Sequence, residues 1–216
     1  MIRIENTEVV GFSHAIRGMR NPLQSHDKSD SDFEQIDHDE WVYKAGESDL
    51  KLMKRLSKAG RDHRKFMRMI VVYADIVAPI YWWKEFDTYK VGTVRNSCST
   101  MHKIHSKEFA LVDFSVDDFY LGDDICVDLK DMFINVISDC EDLRKKFIET
   151  KDKRYWKALI ELLPSSYNQR STVMLNYEVL SNMYHSRKNH KLDCWKEFCK
   201  WIESLPYSEL ITGGAE

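Results

Sequence analysis

Two segments of the chain concentrate groups able to hold a small anionic or hydrogen-bonding molecule. The first, Glu85 to Thr100, sets Lys90 and Arg95 among hydroxyls, the Asn96 amide and the Cys98 thiol. Cationic donors of this kind can surround a phosphate, and an amide with hydroxyls can read a pyrimidine edge. A solvated polar face has the same composition, and the residue types leave both readings open. The second segment, Asn176 to Arg187, carries Asn176, Glu178, Asn182 and Arg187. On a helix these four do not all share one face, yet several can line one groove. His102 and His105 stand three apart, the spacing of two metal ligands on one helix face. No acidic or histidine partner at ligand spacing accompanies them, so surface histidines and no metal site are expected. Cys194 and Cys199 are five apart, which suits helix packing better than a redox pair. A phosphate loop, a Rossmann glycine pattern and a nucleophile elbow are all missing, and residue types alone name no catalytic residue.

The elements that must position these residues are legible in outline. Residues 2–11 alternate weakly, as an edge strand does, and His14 to Pro22 reads as a short helix ended by Asn21-Pro22. Gln24 to Asp32 is a polar run, expected to be a mobile loop, either a lid over substrate or plain surface. Ser48-Asp49 offers an N-cap to a helix bearing Leu52, Met53, Leu56 and Ala59, with Gly60 placed as its C-terminal glycine. Phe66 to Val77 reads as a buried strand, and Ala78-Pro79 then opens an aromatic helix through Trp82, Trp83 and Phe86. From Leu129 to Phe147 apolar residues recur at three and four, the signature of a long amphipathic helix. A second helix carries Tyr155 to Leu163 and stops at Pro164. Gln169 to Leu175 is a strand, Asn176 to Arg187 a helix, and Asp193 caps a last helix with Trp195, Phe198, Cys199 and Ile202. The tail from Thr212 is expected to fray.

Composition agrees with that reading. The 216 residues include only 8 Gly and 4 Pro, about half the usual frequency, which favours long helices over tight turns. A chain of roughly 200 residues buries about 70% of its unfolded surface, enough for a substantial core. The net charge of -3 argues against a globally basic nucleic-acid binder. The five cysteines are odd in number and lack paired spacing, as reduced thiols of an intracellular protein do. The N-terminus lacks the basic-then-apolar pattern of a signal peptide. The most apolar stretch, Met69 to Trp83, is broken by Asp75 and Pro79 and is shorter than the ~20 residues of a spanning helix. A cytoplasmic protein with no membrane contact is expected. It forms one mixed α+β domain over 1–216, a small mixed or antiparallel sheet packed with long helices. Within it 1–45 hold the N-terminal strand, helix and mobile loop, 46–205 the core, and 206–216 the tail.

The order of these segments resembles the flavin-dependent thymidylate synthases. In that family a helix and a histidine-phenylalanine region lead into an apolar strand, then Ala-Pro-aromatic, then a helix and the signature loop. Here the run is Leu52 to Gly60, His63, Phe66, the strand to Val77, Ala78-Pro79-Ile80-Tyr81, and Trp82 onward. A second match is a Leu-Pro, a strand, and an Asn opening a helix that ends in Arg: Leu163-Pro164, Gln169 to Leu175, Asn176, Asn182 and Arg187. The likeness spans about 45–203, with 101–155 supported by helix order alone. The chain departs from the signature Arg-His-Arg with Thr88-Tyr89-Lys90, from the following Ser with Thr93, and from the preceding Gln with Glu85. The downstream Ser-x-Arg becomes Cys98-Ser99-Thr100, and the arginine four residues before the proline is Ile160. A threonine cannot make a bidentate arginine contact.

By this resemblance the chain is a diverged member of the family, a homotetramer binding a pyrimidine nucleotide and FAD at subunit interfaces. The resemblance implies nucleotide contacts at Lys90, Arg95, Asn96 and Arg187, and flavin contacts at His63, Asn176 and Asn182. NADPH and methylenetetrahydrofolate follow only where deoxyuridylate methylation survives the lost signature. A second idea makes Cys98, beside Arg95, a thiolate adding to a pyrimidine ring, against the simpler reading of an incidental cysteine. The contrasting expectation is a non-catalytic oligomeric binding or scaffold protein that kept the fold. In it Trp82, Trp83, Trp195 and Trp201 would form subunit contacts, with burial in the core the simpler role for most of them.

Overall fold

The computed structural model describes residues 2–117 and 129–213, and for Glu40 the backbone alone. Cys126 and the last tail residues, 214–216, lie outside the described residues. In chain order the elements are β1 (Arg3–Val10), α1 (Phe12–Arg20), β2 (Asp32–Asp37), β3 (Glu40–Lys44), α2 (Glu47–Lys58), β4 (Val71–Pro79), α3 (Ile80–Phe86), β5 (Thr93–Ser97), α4 (Thr100–Lys103), α5 (Leu129–Thr150), α6 (Lys153–Leu162), β6 (Asn168–Asn176), α7 (Tyr177–Arg187), α8 (Asp193–Glu203) and α9 (Glu209–Thr212). The architecture is the expected mixture of long helices and a small sheet. One sheet has the order β1-β4-β6-β5, with β1 at its edge, and β2 pairs with β3 in a separate antiparallel hairpin.

The chain forms two compact units. The described residues of Met1–Arg3, Ile76–Thr88 and Asn96–Ser171 make the first. Pro79 is extended, with φ of -67°, and α3 starts one residue later, because proline presets the backbone without needing an N–H partner. Trp82, Trp83 and Phe86 are fully buried and meet edge-on or tilted, with ring centroids 4.9 to 5.2 Å apart. The Trp83 indole N–H donates to the Gln169 carbonyl at 2.9 Å, satisfying its polar end in the core. On α5 the three-and-four stripe buries Phe133 and Cys140, and Cys140 clusters with Ile104 and with Leu159 of α6.

The second unit comprises the described residues of Ile4–Asp75, Tyr89–Arg95 and Thr172–Glu216. Here α7 packs against α8, α9 and the 3-10 turn at Arg64–Met69. Gly11 precedes α1 with φ of +97°, and a Cβ there would stand 2.1 Å from the Met69 carbonyl oxygen, so only glycine fits.

Several expectations need correction. The strand expected from Phe66 begins only at Val71. Phe66 and Met67 are buried from a 3-10 turn instead, because Lys65 and Arg68 break the period-two alternation. Asp49 is not a helix cap. Helix α2 starts at Glu47, and the Asp30 carboxylate, from the polar run, accepts the N–H groups of Ser48 at 2.8 Å and Asp49 at 3.0 Å. Asp49 is fully buried and pairs with Arg20 at 2.5 Å. Asp193 begins α8 after Leu192 and pairs with Lys196 rather than capping. Trp82, Trp83 and Trp195 are buried, which removes them as subunit contacts, while Trp201 donates its indole N–H to Thr7 at 3.0 Å.

Candidate functional site

In the segment after α3, Thr88 is exposed and bonds locally. The Thr88 hydroxyl donates to the Glu85 carbonyl at 2.7 Å, finishing its own helix. Ile160, where an arginine was expected, packs against the Ile104, Cys140 and Leu159 cluster. Lys90 and Asn96 are exposed and Arg95 is half-buried on β5; Asn96 belongs to the first unit, Lys90 and Arg95 to the second.

Tyr89, the residue after Thr88, meets Arg187. Arg187 ends α7, where a cation complements the helix dipole. Its Nε donates to the Tyr89 hydroxyl at 2.9 Å. Its guanidinium carbon lies 4.7 Å from the Trp195 ring centroid and 5.6 Å from that of Tyr89. The two rings stand 64° to each other, 6.3 Å apart, and so form a two-sided aromatic cradle for the cation. A cation over an aromatic face gains about 0.5 to 2 kcal/mol, more as water is excluded. Trp195 is fully buried, so that wall is rigid.

The opposite end of α7 carries a second cluster. The Asn176 side-chain oxygen accepts the Val179 N–H at 2.9 Å as the N-cap, which commits that oxygen to the helix. One turn on, the buried Glu178 carboxylate receives Arg64 Nε at 3.4 Å and both Nε and Nη2 of Arg68, the latter at 3.3 Å. Burial raises the proton affinity of Glu178, but Arg68 and Arg64 together outweigh it and hold the carboxyl below its ordinary value. Arg64 Nη2 also donates to the Asn182 side-chain oxygen at 3.4 Å. His63 is exposed immediately before the turn that carries both arginines. Thus the structure brings Arg187 to Tyr89 and Trp195, and Asn182 to Arg64. Arg64, Arg68 and Trp195 were not foreseen as site residues. The one local sign was two arginines four apart beside His63, and their carboxylate lies 114 and 110 residues away.

The histidines and cysteines singled out in the sequence lie as follows. Ser99 caps α4 by accepting the His102 N–H, and its hydroxyl meets His102 Nδ1 at 2.8 Å. The His105 ring packs edge-on against Phe147 at 4.9 Å. Among the described residues no group of three or more His, Cys, Asp and Glu is placed to hold a metal. Cys98 is exposed; Cys140, Cys194 and Cys199 are buried, and burial pushes the Cys140 and Cys199 thiols up to about 11. A cleft of about 660 Å³ in the second unit is lined mainly by apolar and aromatic residues, among them Phe12, Phe33, Trp41, Tyr43 and Tyr207, and by none of the candidate site residues. Among the described residues no helix is long and apolar enough to cross a membrane.

Neither a protein-family model nor a curated protein sequence matches the chain. Solved structures do. Thymidylate synthase X from Helicobacter pylori, crystallised with FAD and dUMP, superposes with a TM-score of 0.70 at 16% identity, over 99% of this chain and 98% of that one. A second structure of that enzyme with FAD and dUMP gives 0.69 at 15% identity, over 99% and 100% of the two chains. A UMP/dUMP methylase, PolB from Streptomyces cacaoi, bound with 5-Br dUMP, gives 0.63 at 14% identity, over 100% and 96%. At such identities the likeness is one of fold, and it extends over essentially the whole length of each chain.

Proposed function

We propose that this chain binds a pyrimidine nucleotide through Arg187 and a flavin beside Arg64, Arg68 and Asn182, on a fold shared with thymidylate synthase X. The observation that carries the reading is the aromatic cradle of Arg187. A guanidinium held by the Tyr89 hydroxyl at 2.9 Å and by Trp195 at 4.7 Å is oriented before any ligand arrives. Preorganised donors lose less entropy on binding, which is how one arginine can replace several. Lys90 and Arg95, of the same unit as Arg187, complete the proposed nucleotide contacts, and His63 and Asn176 the proposed flavin contacts.

The donor chemistry fits a flavin dinucleotide. Two guanidiniums beside Asn182 match its phosphates, and Asn176 keeps its amide N–H groups, its oxygen being spent on the helix cap. When bound, a flavin supplies hydride transfer, with NADPH as donor and methylenetetrahydrofolate as carbon source should methylation be retained. This chain's own residues bind and orient. Arg187 presents N–H donors to an anionic or carbonyl group, Tyr89 and Trp195 fix its direction, and the buried Trp195 wall excludes water from one side. The protein is proposed to be cytoplasmic, from the unpaired pattern of its cysteines, and to assemble as a homotetramer, as the family resemblance implies.

Thr88 and Ile160 favour a second reading. With one hydroxyl spent on a helix end and one side chain in a core cluster, the anion contacts needed for methylation are reduced. The chain is then a non-catalytic oligomeric binding or scaffold protein. Absorbance separates the two. Protein that purifies yellow, or that binds added FAD with a perturbed flavin spectrum, supports the flavin reading. Protein that stays colourless and leaves the spectrum of added FAD unchanged contradicts it.

A further inference from the structure

Two guanidiniums share one carboxylate at the start of α7, and the sharing is uneven. Arg68 is bidentate on Glu178, while Arg64 reaches it only at 3.4 Å. Charge-assisted N–H···O bonds ordinarily close to about 2.7–2.9 Å, so Arg64 is loosely engaged. A guanidinium has five N–H donors. Among the described residues, the Nη1 groups of Arg64 and Arg68 have no protein partner. The Arg68 side chain is 54% exposed, so its donors open to solvent. Arg61 and Lys65 lie on the same segment, against Asp62 and Glu178, and the neighbourhood keeps a positive excess. A single carboxylate, with two oxygens and one charge, is a poor match for two arginine forks. A phosphate, with more oxygens and more charge, is a better one.

We propose that Arg64 and Arg68 form a phosphate-binding fork, with Glu178 as the occupant that a phosphate-bearing ligand displaces. The inference deepens the flavin reading, on which it rests for the ligand's identity, by assigning the group that Arg64 and Arg68 hold. With no phosphate bound, Glu178 bridges the two guanidiniums and offsets their mutual repulsion. It also sets the affinity, because an incoming phosphate must compete with it.

The probe is inorganic pyrophosphate, titrated calorimetrically at low salt into the full chain and into Glu178→Gln, Arg68→Met and Arg64→Met/Arg68→Met variants whose folding is checked by circular dichroism. Pyrophosphate is expected to bind the unmodified chain weakly, at least tenfold more tightly after Glu178→Gln, and at least tenfold more weakly after Arg68→Met. Arg68 is half exposed, so its variant reads the fork even where a core change fails to fold. Equal pyrophosphate affinity in the unmodified chain and Arg68→Met overturns the proposal, as does a Glu178→Gln variant that binds no more tightly. Competition then separates the ligand sources. Displacement of pyrophosphate by FAD assigns the fork to a dinucleotide, and displacement by dUMP assigns it to a mononucleotide; either outcome supports the fork. If FAD binds while pyrophosphate does not, the flavin reading stands and the fork falls. If pyrophosphate binds and FAD does not, the fork stands and the flavin reading falls.

Discussion

Replacing Arg20 by Met removes the partner of the most deeply buried carboxylate described in the second unit. Asp49 is fully buried; one oxygen accepts Arg20 Nε at 2.5 Å, and the other accepts the Ser29 and Ser31 hydroxyls, each at 2.7 Å, and the Asp30 N–H at 3.1 Å. Arg20 also donates to the Ser25 and Lys28 carbonyls at 3.1 and 2.8 Å, so this one pair ties the polar run to α1 and α2. Breaking a buried pair by deleting one partner costs about 3–5 kcal/mol, because the survivor is left charged and under-solvated. Against a typical total of about 5–15 kcal/mol that loss is large, and at about 2–4 °C per kcal/mol the midpoint should fall by roughly 6–20 °C. Lys44→Met, which breaks a pair with Glu34 whose side chains are 66% and 55% exposed, should leave stability essentially unchanged, because solvent screens the pair. The pH dependence adds a second reading. Burial raises the Asp49 pKa, but the Ser31, Ser29, Arg20 and Asp30 bonds together lower it below its ordinary 3.8. Its contribution is therefore full above that value and lost as pH falls through the lower folded value. Urea unfolding of both variants, at pH 7 and across the acid range, is the assay. A loss below about 1 kcal/mol for Arg20→Met would refute the reasoning, since it would mean that Asp49 does not need its counter-charge.

Tyr89→Phe keeps the ring but removes the hydroxyl that receives Arg187 Nε, and should weaken dUMP binding about fivefold, roughly 1 kcal/mol for a half-exposed charge-assisted bond; unchanged affinity by fluorescence titration would separate Tyr89 from the site. Maleimide labelling followed by peptide mapping should mark Cys98 and spare Cys140 and Cys199, which are buried with thiols pushed up to about 11; rapid labelling of Cys140 in folded protein would contradict the packing described. Gly11→Ala forces a Cβ to within 2.1 Å of the Met69 carbonyl oxygen at φ of +97°, and should cost about 2 kcal/mol or more by denaturant unfolding; a neutral change would contradict the backbone at that turn.

What the sequence discloses is what neighbours along the chain decide. The stripe from Leu129 to Phe147 became α5 because its period is helical over many turns. Pro79 and Asn176 mark helix starts because proline and a short amide act on the next few residues alone. Asp49 misled because a Ser-Asp pair before an apolar run looks like a cap, whereas the cap arrives from Asp30, through a loop. The hairpin of β2 and β3 was not foreseen, since its acidic residues continue the polar run and its Phe33 and Trp41 stay exposed. In the site, Arg187 was legible from its place at the helix end. Tyr89 and Trp195 as its cradle were not, because Tyr89 reaches it across 98 residues and aromatic spacing on α8 looks like core alone. The Arg64, Arg68 and Glu178 cluster was hidden for the same reason, a pairing across more than a hundred residues.

Arg187, held between Tyr89 and Trp195, is the proposed anchor of a pyrimidine nucleotide. Calorimetric titration of dUMP into the unmodified chain and into Arg187→Ala tests it most directly. Saturable binding to the unmodified chain is expected, with a loss of at least about tenfold in the variant, the equivalent of about 1.4 kcal/mol for a charged anchor. Equal affinity in the two proteins, or no binding of dUMP to the unmodified chain, would contradict it.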